Sequence, residues 1–561
     1  MTTRELGKSK LARSIALGLT LGTSLYWGGV ANAATTYYGY IVVGQDQSGQ
    51  QSNTAVVGYN GTSTTGTDLT ISGVTIDGIY GVATNNGGTN DNQVIDYSSG
   101  ASRDYTSLVY QSGAGIITEN GANNTITISG NNVKEITFAT AAAKDSNTIE
   151  VSGTRSTLNI TDAKSITVDA GATVGAISST AGSVTTGEGS VTGDVSNTTG
   201  YVKTGDNSTT GNISSTTGYV TTGDNSTTGN ISNTNGYVTT GTGSTVGNID
   251  GVGGNVTVQG TAGYVKDTNG TNGVTLVNAT ITGGADAAGI DSTMAGGVTQ
   301  TTGNSVISGS TGITTTKGSV TLTGTAKTLS TVTGAKGGIY GTGGSVVLNN
   351  ETVKSTDSGD AINGTGGDVD ISNSEIDGAA NGISTTTGNV SINNTTVTGA
   401  NGAGITDTAG NVTQTTGNSV ISGTTFGITT TQGSVELIGA NKNSSTVTGV
   451  QGGIYGTDGS VVLNNETVKS TTSGDAINGT GGDVDVTNSE IDGHDYGINA
   501  TTGKVTVDST PVTGETKGGI YLSGSDVVVK NGSSVEGKGG DGIAYTGYTS
   551  TTEKSATSSV T

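Results

Sequence analysis

An isoleucine preceded by glycine or alanine recurs every 21–26 residues through the C-terminal half of the chain. The positions are Ile290, Ile313, Ile339, Ile362, Ile383, Ile405, Ile428, Ile454, Ile477, Ile498, Ile520 and Ile543. The series of gaps repeats after 115 residues, and residues 344–378 match residues 459–493 with three differences, which indicates a duplicated five-step super-repeat. A unit this short cannot bury an apolar face alone, so successive copies must stack to make a core.

Each step contains three short segments in which apolar and polar residues alternate, as they do in β-strands. In one step, Ile383 opens the first segment, Val390 and Ile392 share a face of the second, and Val397 lies in the third. β-Branched residues and glycine dominate the steps, which argues against a helical repeat. The pattern predicts an all-β fold, a single-stranded parallel β-helix with a right-handed coil and rungs of 21–26 residues in this half.

Asparagine is common four places after the first valine of the second segment, at Asn350, Asn373, Asn394, Asn465, Asn488 and Asn531. Asparagine tolerates a left-handed backbone, and its amide can stack on the copy in the next rung. The pattern therefore predicts a ladder of turns.

A second period, of 18 residues, runs through about residues 164–253. It is marked by Gly182, Gly200, Gly218, Gly236 and Gly254. The apolar residues within it lack the six-residue spacing of a left-handed hexapeptide helix, and the tandem units of calcium-binding β-rolls are missing. We interpret this region as narrower rungs of the same solenoid.

The N-terminus has the pattern of a secretory signal peptide. A basic start precedes a short apolar stretch that ends in Ala31-Asn32-Ala33. The predicted segments are a signal peptide (1–33), an N-terminal cap with an irregular start of the β-helix (34–163), a solenoid with 18-residue rungs (164–285), a β-helix with rungs of about 23 residues (286–545) and a disordered or interrupted tail (546–561).

Composition limits the chemistry and the partners. The net charge of −22 at pH 7 argues against nucleic acid or anionic lipid as a partner. The chain has no cysteine and one histidine, which excludes zinc–cysteine, iron–sulfur and thiol sites. The 99 glycines and few aromatics fit either disorder or a solenoid, and the periodicity favours the solenoid.

The signal peptide followed by Gly-Ile, Val-x-Ile and Val-Thr-Gly rungs resembles the passenger domains of Gram-negative autotransporters and related adhesins. The resemblance covers the mature chain as an architecture and includes no diagnostic motif. It implies a β-helix displayed on the cell surface that acts in adhesion, aggregation or biofilm formation. Such proteins end in an outer-membrane barrel, whereas this sequence ends on Val560-Thr561. We expect either a barrel beyond this sequence or export through a separate outer-membrane barrel.

Two outward rows of side chains are candidate binding surfaces. Tyr201, Tyr219 and Tyr237 are 18 residues apart, and alternation places them outside the solenoid. We expect them to stack on each other, with a sugar or receptor site as the alternative. Aligned threonines such as Thr221 and Thr222 raise the possibility of ice binding, but adjacent residues point to opposite faces and cannot form a flat array.

One step of the super-repeat concentrates acidic residues, namely Asp360, Asp368, Asp370, Glu375 and Asp377, echoed by Asp475, Asp483, Asp485, Glu490 and Asp492. Paired carboxylates can bind calcium or serve a glycosidase. The solvated acidic face is the favoured interpretation, because duplication copied the set. His494-Asp495 replaces Ala379-Ala380 of the earlier copy, which indicates a tolerated surface position.

No residue is therefore assigned as catalytic, cofactor-binding or metal-binding, and no cofactor is expected. The sequence favours a non-enzymatic scaffold, secreted to the cell surface or outer membrane of a Gram-negative-type bacterium. Its expected partner is a host-cell or extracellular glycan or protein receptor, or a second copy of itself, with no nucleic acid. The alternative is a carbohydrate-active β-helix enzyme, either a polysaccharide lyase or a glycoside hydrolase.

Overall fold

Strands stacked in register make up the regular structure of the described residues. The computed structural model describes residues 148–546 apart from 156–157, 179, 268–272, 293–295, 342, 365, 443, 457, 480 and 525, and, outside that range, only strands within 39–138 and at 559–560. The predicted signal peptide (1–33) and most of the predicted tail lie outside these residues. The chain divides into two compact units, Met1–Gly253 and Gly254–Thr561. The described residues contain no helix with the length and apolar character needed to span a membrane.

The strands of the first unit are Gly39–Gln45, Gln51–Gly61, Leu69–Ser72, Ile79–Asn85, Asn92–Asp96, Leu108–Tyr110, Ile116–Glu119, Thr125–Ile128, Glu135–Phe138, Thr148–Val151, Thr154–Arg155, Asn159–Thr161, Ser165–Val168, Thr173–Val174, Ile177–Ser178, Val184–Thr186, Val191–Thr192, Val195–Ser196, Val202–Lys203, Thr209–Thr210, Ile213–Ser214, Val220–Thr221, Thr227–Thr228, Ile231–Ser232, Val238–Thr239, Thr245–Val246 and Ile249–Val252. The first two pair antiparallel. The rungs that follow residue 148 stack in parallel.

The 18-residue period of the sequence is the length of each rung from about residue 166 to the end of this unit. Val202 pairs with Val220, and Ile213 pairs with Ile231, each one period apart. These side chains are fully buried and form two apolar columns. Most strands of these rungs contain only two or three residues, so each rung also depends on hydrogen bonds between successive turns, such as that from the Gly218 N–H to the Gly200 carbonyl at 2.9 Å.

The strands of the second unit are Val256–Val258, Thr261–Ala262, Val265–Asp267, Val274–Leu276, Thr280–Thr282, Ile290–Ser292, Val298–Gln300, Val306–Thr315, Val320–Thr323, Thr331–Gly341, Val346–Asn349, Thr352–Ser355, Ile362–Gly364, Val369–Ser372, Glu375–Gly378, Ile383–Thr385, Val390–Asn393, Thr396–Gly399, Ile405–Asp407, Val412–Gln414, Val420–Gly423, Phe426–Thr430, Val435–Ile438, Ser445–Gly449, Gly452–Gly456, Val461–Asn464, Glu466–Ser470, Ile477–Gly479, Val484–Thr487, Glu490–Gly493, Ile498–Ala500, Lys504–Asp508, Pro511–Gly514, Ile520–Leu522, Asp526–Lys530, Ser534–Gly537, Ile543–Tyr545 and Ser559–Val560.

Each rung of the second unit contains the three strands predicted from the sequence. Ile383 pairs with Ile405 in the first column, Val369 with Val390 in the second, and Ile376 with Val397 in the third, all in parallel. The repeating isoleucines and valines of these columns are buried along the axis, except for Val527, Val529 and Ile543 in the last rungs, which are partly exposed. The predicted all-β parallel β-helix is therefore confirmed.

The asparagine ladder is confirmed as a row of left-handed turns. All six predicted asparagines have positive φ, from 48° at Asn488 to 62° at Asn465. Their amides also bond between rungs, as Asn373 Nδ2 does to Asn349 Oδ1 at 3.0 Å. Each turn ends the second strand and directs the chain into the third, so it fixes which side chains enter the core.

Candidate functional site

Two outward clusters of the second unit present the same ion-paired arrangement, and we call them the lysine patches. The first contains Lys354, Glu375 and Asp377, and the second contains Lys469, Glu490 and Asp492. In both, the lysine Nζ lies 3.0 Å from the glutamate and 3.8 Å from the aspartate. The side chains are 36–45% exposed, so solvent screening limits each pair to about 1 kcal/mol or less of stability. The patches are therefore charged surface available for contact.

The remaining acidic side chains mostly accept hydrogen bonds from the neighbouring rung. Asp368 is exposed, and its Oδ1 accepts the Asn389 backbone N–H at 2.8 Å. Asp360 is only 9% exposed and accepts both the backbone N–H and the Nδ2 of Asn381, at 3.0 and 2.9 Å. Within the described part of the chain, no group of three or more acidic or histidine side chains is placed to hold a metal ion.

Asp360 and its copy Asp475 thus depart from the sequence expectation of a solvated acidic face, which is wrong for these two residues. Burial is the largest effect on Asp475 and raises its pKa, while hydrogen bonds from Asn499 and from the Tyr496 backbone oppose it. The amides of the next rung take the place of water around the carboxylate. Both residues are therefore structural members of the turn.

An aromatic and charged cluster distinguishes the second super-repeat, and we call it the C-terminal patch. It consists of Asp495, Tyr496, Lys517 and Tyr521. Lys517 Nζ lies 2.8 Å from Asp495 and 5.4 Å from the centroid of the Tyr496 ring. The Tyr496 and Tyr521 ring centroids are 5.1 Å apart. The hydrogen bond between the two charged groups lowers the pKa of Asp495 and raises that of Lys517.

The equivalent positions of the first super-repeat are Ala380, Asn381, Gly402 and Thr406, so that copy has no charged or aromatic side chain at these positions. The position of His494-Asp495 at the surface agrees with the expectation from sequence, since both are partly exposed. The contact of Asp495 with Lys517, one rung later, was not predicted from the sequence. Aromatic rings beside a cation are the residue types that anchor protein interfaces.

The three tyrosines of the first unit stack outside the solenoid, as predicted. Tyr201 and Tyr219 have centroids 4.9 Å apart and planes within 6°, and Tyr219 and Tyr237 have values of 4.7 Å and 3°. Hydrogen bonds from Ser183 and Thr185 lower the pKa of Tyr201. Each ring covers the face of its neighbour, which leaves little aromatic face for a sugar and supports the structural interpretation.

Two polar clusters lie inside the second unit, among its apolar columns. In the first, Gln300 Nε2 donates to Ser330 Oγ at 3.1 Å and to Glu351 Oε1 at 3.2 Å, while the Ser330 hydroxyl donates to Glu351 Oε1 at 2.9 Å. The second cluster is Gln414, Ser445 and Glu466, with both Gln414 contacts at 3.1 Å. All six residues are buried, with at most 2% exposure.

Burial raises the pKa of Glu351 and of Glu466 to about 7. Hydrogen bonds from the neighbouring serines and from the backbone of Gly324 and Gly439 have the opposite, smaller effect and lower the pKa. The Oε2 atom of each glutamate is buried without a partner of good hydrogen-bond geometry in the described residues. Such an atom favours the protonated acid, because an ionised oxygen without donors is costly inside a protein.

A break in the repeat is the signal that could have identified these clusters. Gln300 pairs with Leu322, and Gln414 pairs with Leu437, so each glutamine occupies an inward position where the next rung has leucine. Each glutamate follows a left-handed asparagine, at a position where other rungs have serine or threonine. A polar residue at an inward position is a departure that function or a polar network must explain.

Comparison of the chain with protein-family models, with curated proteins and with solved structures gave no match.

Proposed function

We propose that this protein is a secreted, surface-displayed β-helix scaffold, related in architecture to autotransporter passengers, that acts in adhesion, aggregation or biofilm formation and is not an enzyme acting on an external substrate. The observation that supports this proposal best is the repetition of the lysine patch at equivalent outward positions, one super-repeat apart. Parallel rungs lie about 4.8 Å apart, so five rungs separate the two patches by about 24 Å.

A rigid spacing of this kind allows weak contacts to act together. Once one patch has bound, the second meets its ligand at a high effective concentration, and avidity exceeds either affinity by about 10²–10⁴. The exposed lysine and carboxylates of a patch can donate to and accept from the hydroxyls of a glycan or the polar groups of a protein. The C-terminal patch adds an aromatic anchor beside a cation.

Binding of the full chain to cultured host cells, to a glycan array and to itself tests the role of the patches. The variants Glu375→Gln/Asp377→Asn and Glu490→Gln/Asp492→Asn each remove one patch, and we expect each to shorten the residence time at least tenfold. The control Asp370→Asn/Asp485→Asn makes the same change of charge at outward positions on the second strands. Failure of the native chain to bind any of these surfaces, or equal binding by all variants, would contradict the proposal.

Display at the surface is tested separately in the cells that produce the protein. An antibody against the super-repeat is used on intact cells, membrane fractions and medium, with and without external protease. Signal in the outer membrane that external protease removes, or signal in the medium, agrees with the proposal. Protein confined to the cytoplasm of intact cells would overturn it.

A further inference from the structure

The buried cluster of Gln300, Ser330 and Glu351 brings an electrophile, a nucleophile and an acid–base group together. Glu351 Oε1 is 2.9 Å from Ser330 Oγ and 3.2 Å from Gln300 Nε2, and those two atoms are 3.1 Å apart. One carboxylate oxygen thus contacts both the hydroxyl that can attack the carboxamide and the nitrogen that would leave it. A single group in this position can take a proton from the first and give it to the second.

We propose that this cluster is an autocatalytic cross-linking site in which Ser330 and Gln300 form an intramolecular ester. Ser330 Oγ attacks Gln300 Cδ, so the Oγ–Cδ bond forms and the Cδ–Nε2 bond breaks. The hydroxyl proton passes to Glu351 Oε1 and from there to Nε2, which leaves as ammonia. Glu351 ends the reaction unchanged, and no oxidant, metal or co-reactant takes part.

The surroundings suit this reaction. The amide C–N bond is about 1.33 Å long, so Gln300 Cδ lies within about 4.4 Å of Ser330 Oγ, and rotation about the earlier side-chain bonds of Gln300 can bring Cδ closer without a change of backbone. Reacting atoms need to come within roughly 3–3.5 Å. Gln300 is 0% exposed, and Ser330 and Glu351 are each 1% exposed, so water that would hydrolyse the carboxamide or the ester is kept out.

The second super-repeat carries the same arrangement. Gln414 Nε2 lies 3.1 Å from Ser445 Oγ and 3.1 Å from Glu466 Oε1, and Ser445 also hydrogen-bonds to Glu466. Burial raises the pKa of Glu466, like that of Glu351, to about 7. Near neutral pH each glutamate therefore populates both its base and its acid form, as a proton shuttle requires.

The bond would join neighbouring rungs, since Gln300 belongs to the rung of Ile290 and Ser330 to the rung of Ile313. Apart from the chain that connects them, the described rungs are otherwise held by hydrogen bonds, apolar contact and surface ion pairs such as that between Lys354 and Glu375. A covalent link inside the core would resist the separation of rungs under a pulling force. The chain has no cysteine, so an ester would supply a cross-link that disulfides cannot.

The intact mass of the purified full chain after incubation at neutral pH tests the proposal. We expect a mass lower than that of the sequence by two ammonia molecules. Ser330→Ala and Ser445→Ala should each lack one of these losses, and the double variant should lack both. Masses are compared with the double variant, which cancels any processing of the N-terminus. Glu351→Gln should block the first ester alone, so the other super-repeat serves as its control.

Succinimides at Asn-Gly sequences also lose ammonia, and peptide mapping separates the two reactions. Trypsin applied to the denatured chain should give residues 267–317 linked to residues 328–336, because cleavage sites at Lys266, Lys317, Lys327 and Lys336 bound these peptides. Circular dichroism checks that the variants fold. A native chain of full mass, or ammonia lost only at Asn-Gly sequences, would overturn the proposal.

Discussion

Left-handed asparagines decide where each rung turns. An L-residue in this conformation brings Cβ close to a carbonyl oxygen, at a cost of roughly 1–2 kcal/mol that asparagine reduces by local hydrogen bonding. Asn373 has φ 51°, and its amide bonds to Asn349 of the preceding rung. The residue that follows then enters the core, as the fully buried Ser374 does. The backbone angle of one residue therefore sets the direction of the next.

Replacement of Asn373 by alanine should lower the free energy of unfolding by about 1–2 kcal/mol, because alanine is strained in the left-handed conformation and cannot make the side-chain hydrogen bond. Asn373→Gly should cost less, since glycine adopts positive φ freely and loses only the amide bond. Urea denaturation followed by circular dichroism measures both. Equal losses for the two variants would mean that the backbone angle is not the cause.

The buried glutamates should make stability depend on pH. The pKa of Glu351 and of Glu466 is about 7 in the folded chain and near 4.5 when unfolded. The unfolded chain therefore loses these protons first as pH rises. The stability that protonation provides is complete below about pH 4.5 and is lost as pH rises through 7, by up to about 3 kcal/mol for each group.

The double variant Glu351→Gln/Glu466→Gln should remove this slope, because glutamine does not titrate. Urea midpoints at intervals from pH 5 to pH 8, across the interval that the two pKa values define, compare the variant with the native chain. Parallel curves would show that the two carboxyl groups do not titrate in this interval.

At the scale of the element, the rungs of the first unit are lined by hydroxyls. Two apolar columns fill part of each rung, and buried threonines and serines fill the rest. Some of these hydroxyls are bonded, as Thr204 Oγ1 accepts the Gly223 N–H at 3.1 Å. Others, such as Thr210 Oγ1, are buried without a hydrogen-bond partner in the described residues. The space inside the rung therefore favours a small β-branched side chain at these positions, whereas a hydrogen bond from its hydroxyl is not always required.

Thr210→Val should leave the stability of the first unit unchanged or raise it by up to about 1 kcal/mol, because it removes an unpartnered buried hydroxyl at nearly constant volume. Val174 and Val246 already occupy the same column in nearby rungs. The matched control Thr204→Val removes a bonded hydroxyl and should cost about 1–2 kcal/mol. Thermal and urea denaturation give the comparison, and a larger loss for Thr210→Val than for Thr204→Val contradicts this assignment.

At the scale of the whole molecule, a β-helix is a nearly one-dimensional stack in which each rung contacts its neighbours. The second unit can therefore lose complete periods without a new kind of contact. Gly289-Ile290 and Gly404-Ile405 are equivalent places in successive super-repeats. Joining Gly289 to Ile405 preserves the order of the three strands.

Deletion of residues 290–404 should give a chain that folds with the same circular dichroism per residue and a smaller dependence of unfolding on urea, because less surface is buried. The control deletion of residues 290–392 removes a fractional period and places two third-column strands in succession. It should fold poorly and expose its core to protease. Equal folding by both chains would show that the register of the rungs does not matter.

The period of the sequence by itself determined the class of fold, the columns and the turns. Parallel stacking keeps equivalent residues above one another, so Ile383 and Ile405 could be paired from their spacing alone. The asparagine turns follow from the same reasoning, because left-handed angles are a property of the residue and its position. The stacking of the tyrosines could also be predicted, because alternation and an 18-residue spacing place them in one outward row.

Only the tertiary structure decided which side chains meet across a rung or between columns. The spacing of Gln300, Ser330 and Glu351 follows no period, and their contact depends on how the turns shape the cross-section of three successive rungs. The contact between Asp495 and Lys517 likewise depends on where two surface turns lie. The pairing of residues along the axis can be predicted from the sequence because every rung adds the same rise. Distances between side chains of different columns depend on all the backbone angles around a rung together. No short sequence pattern determines these angles.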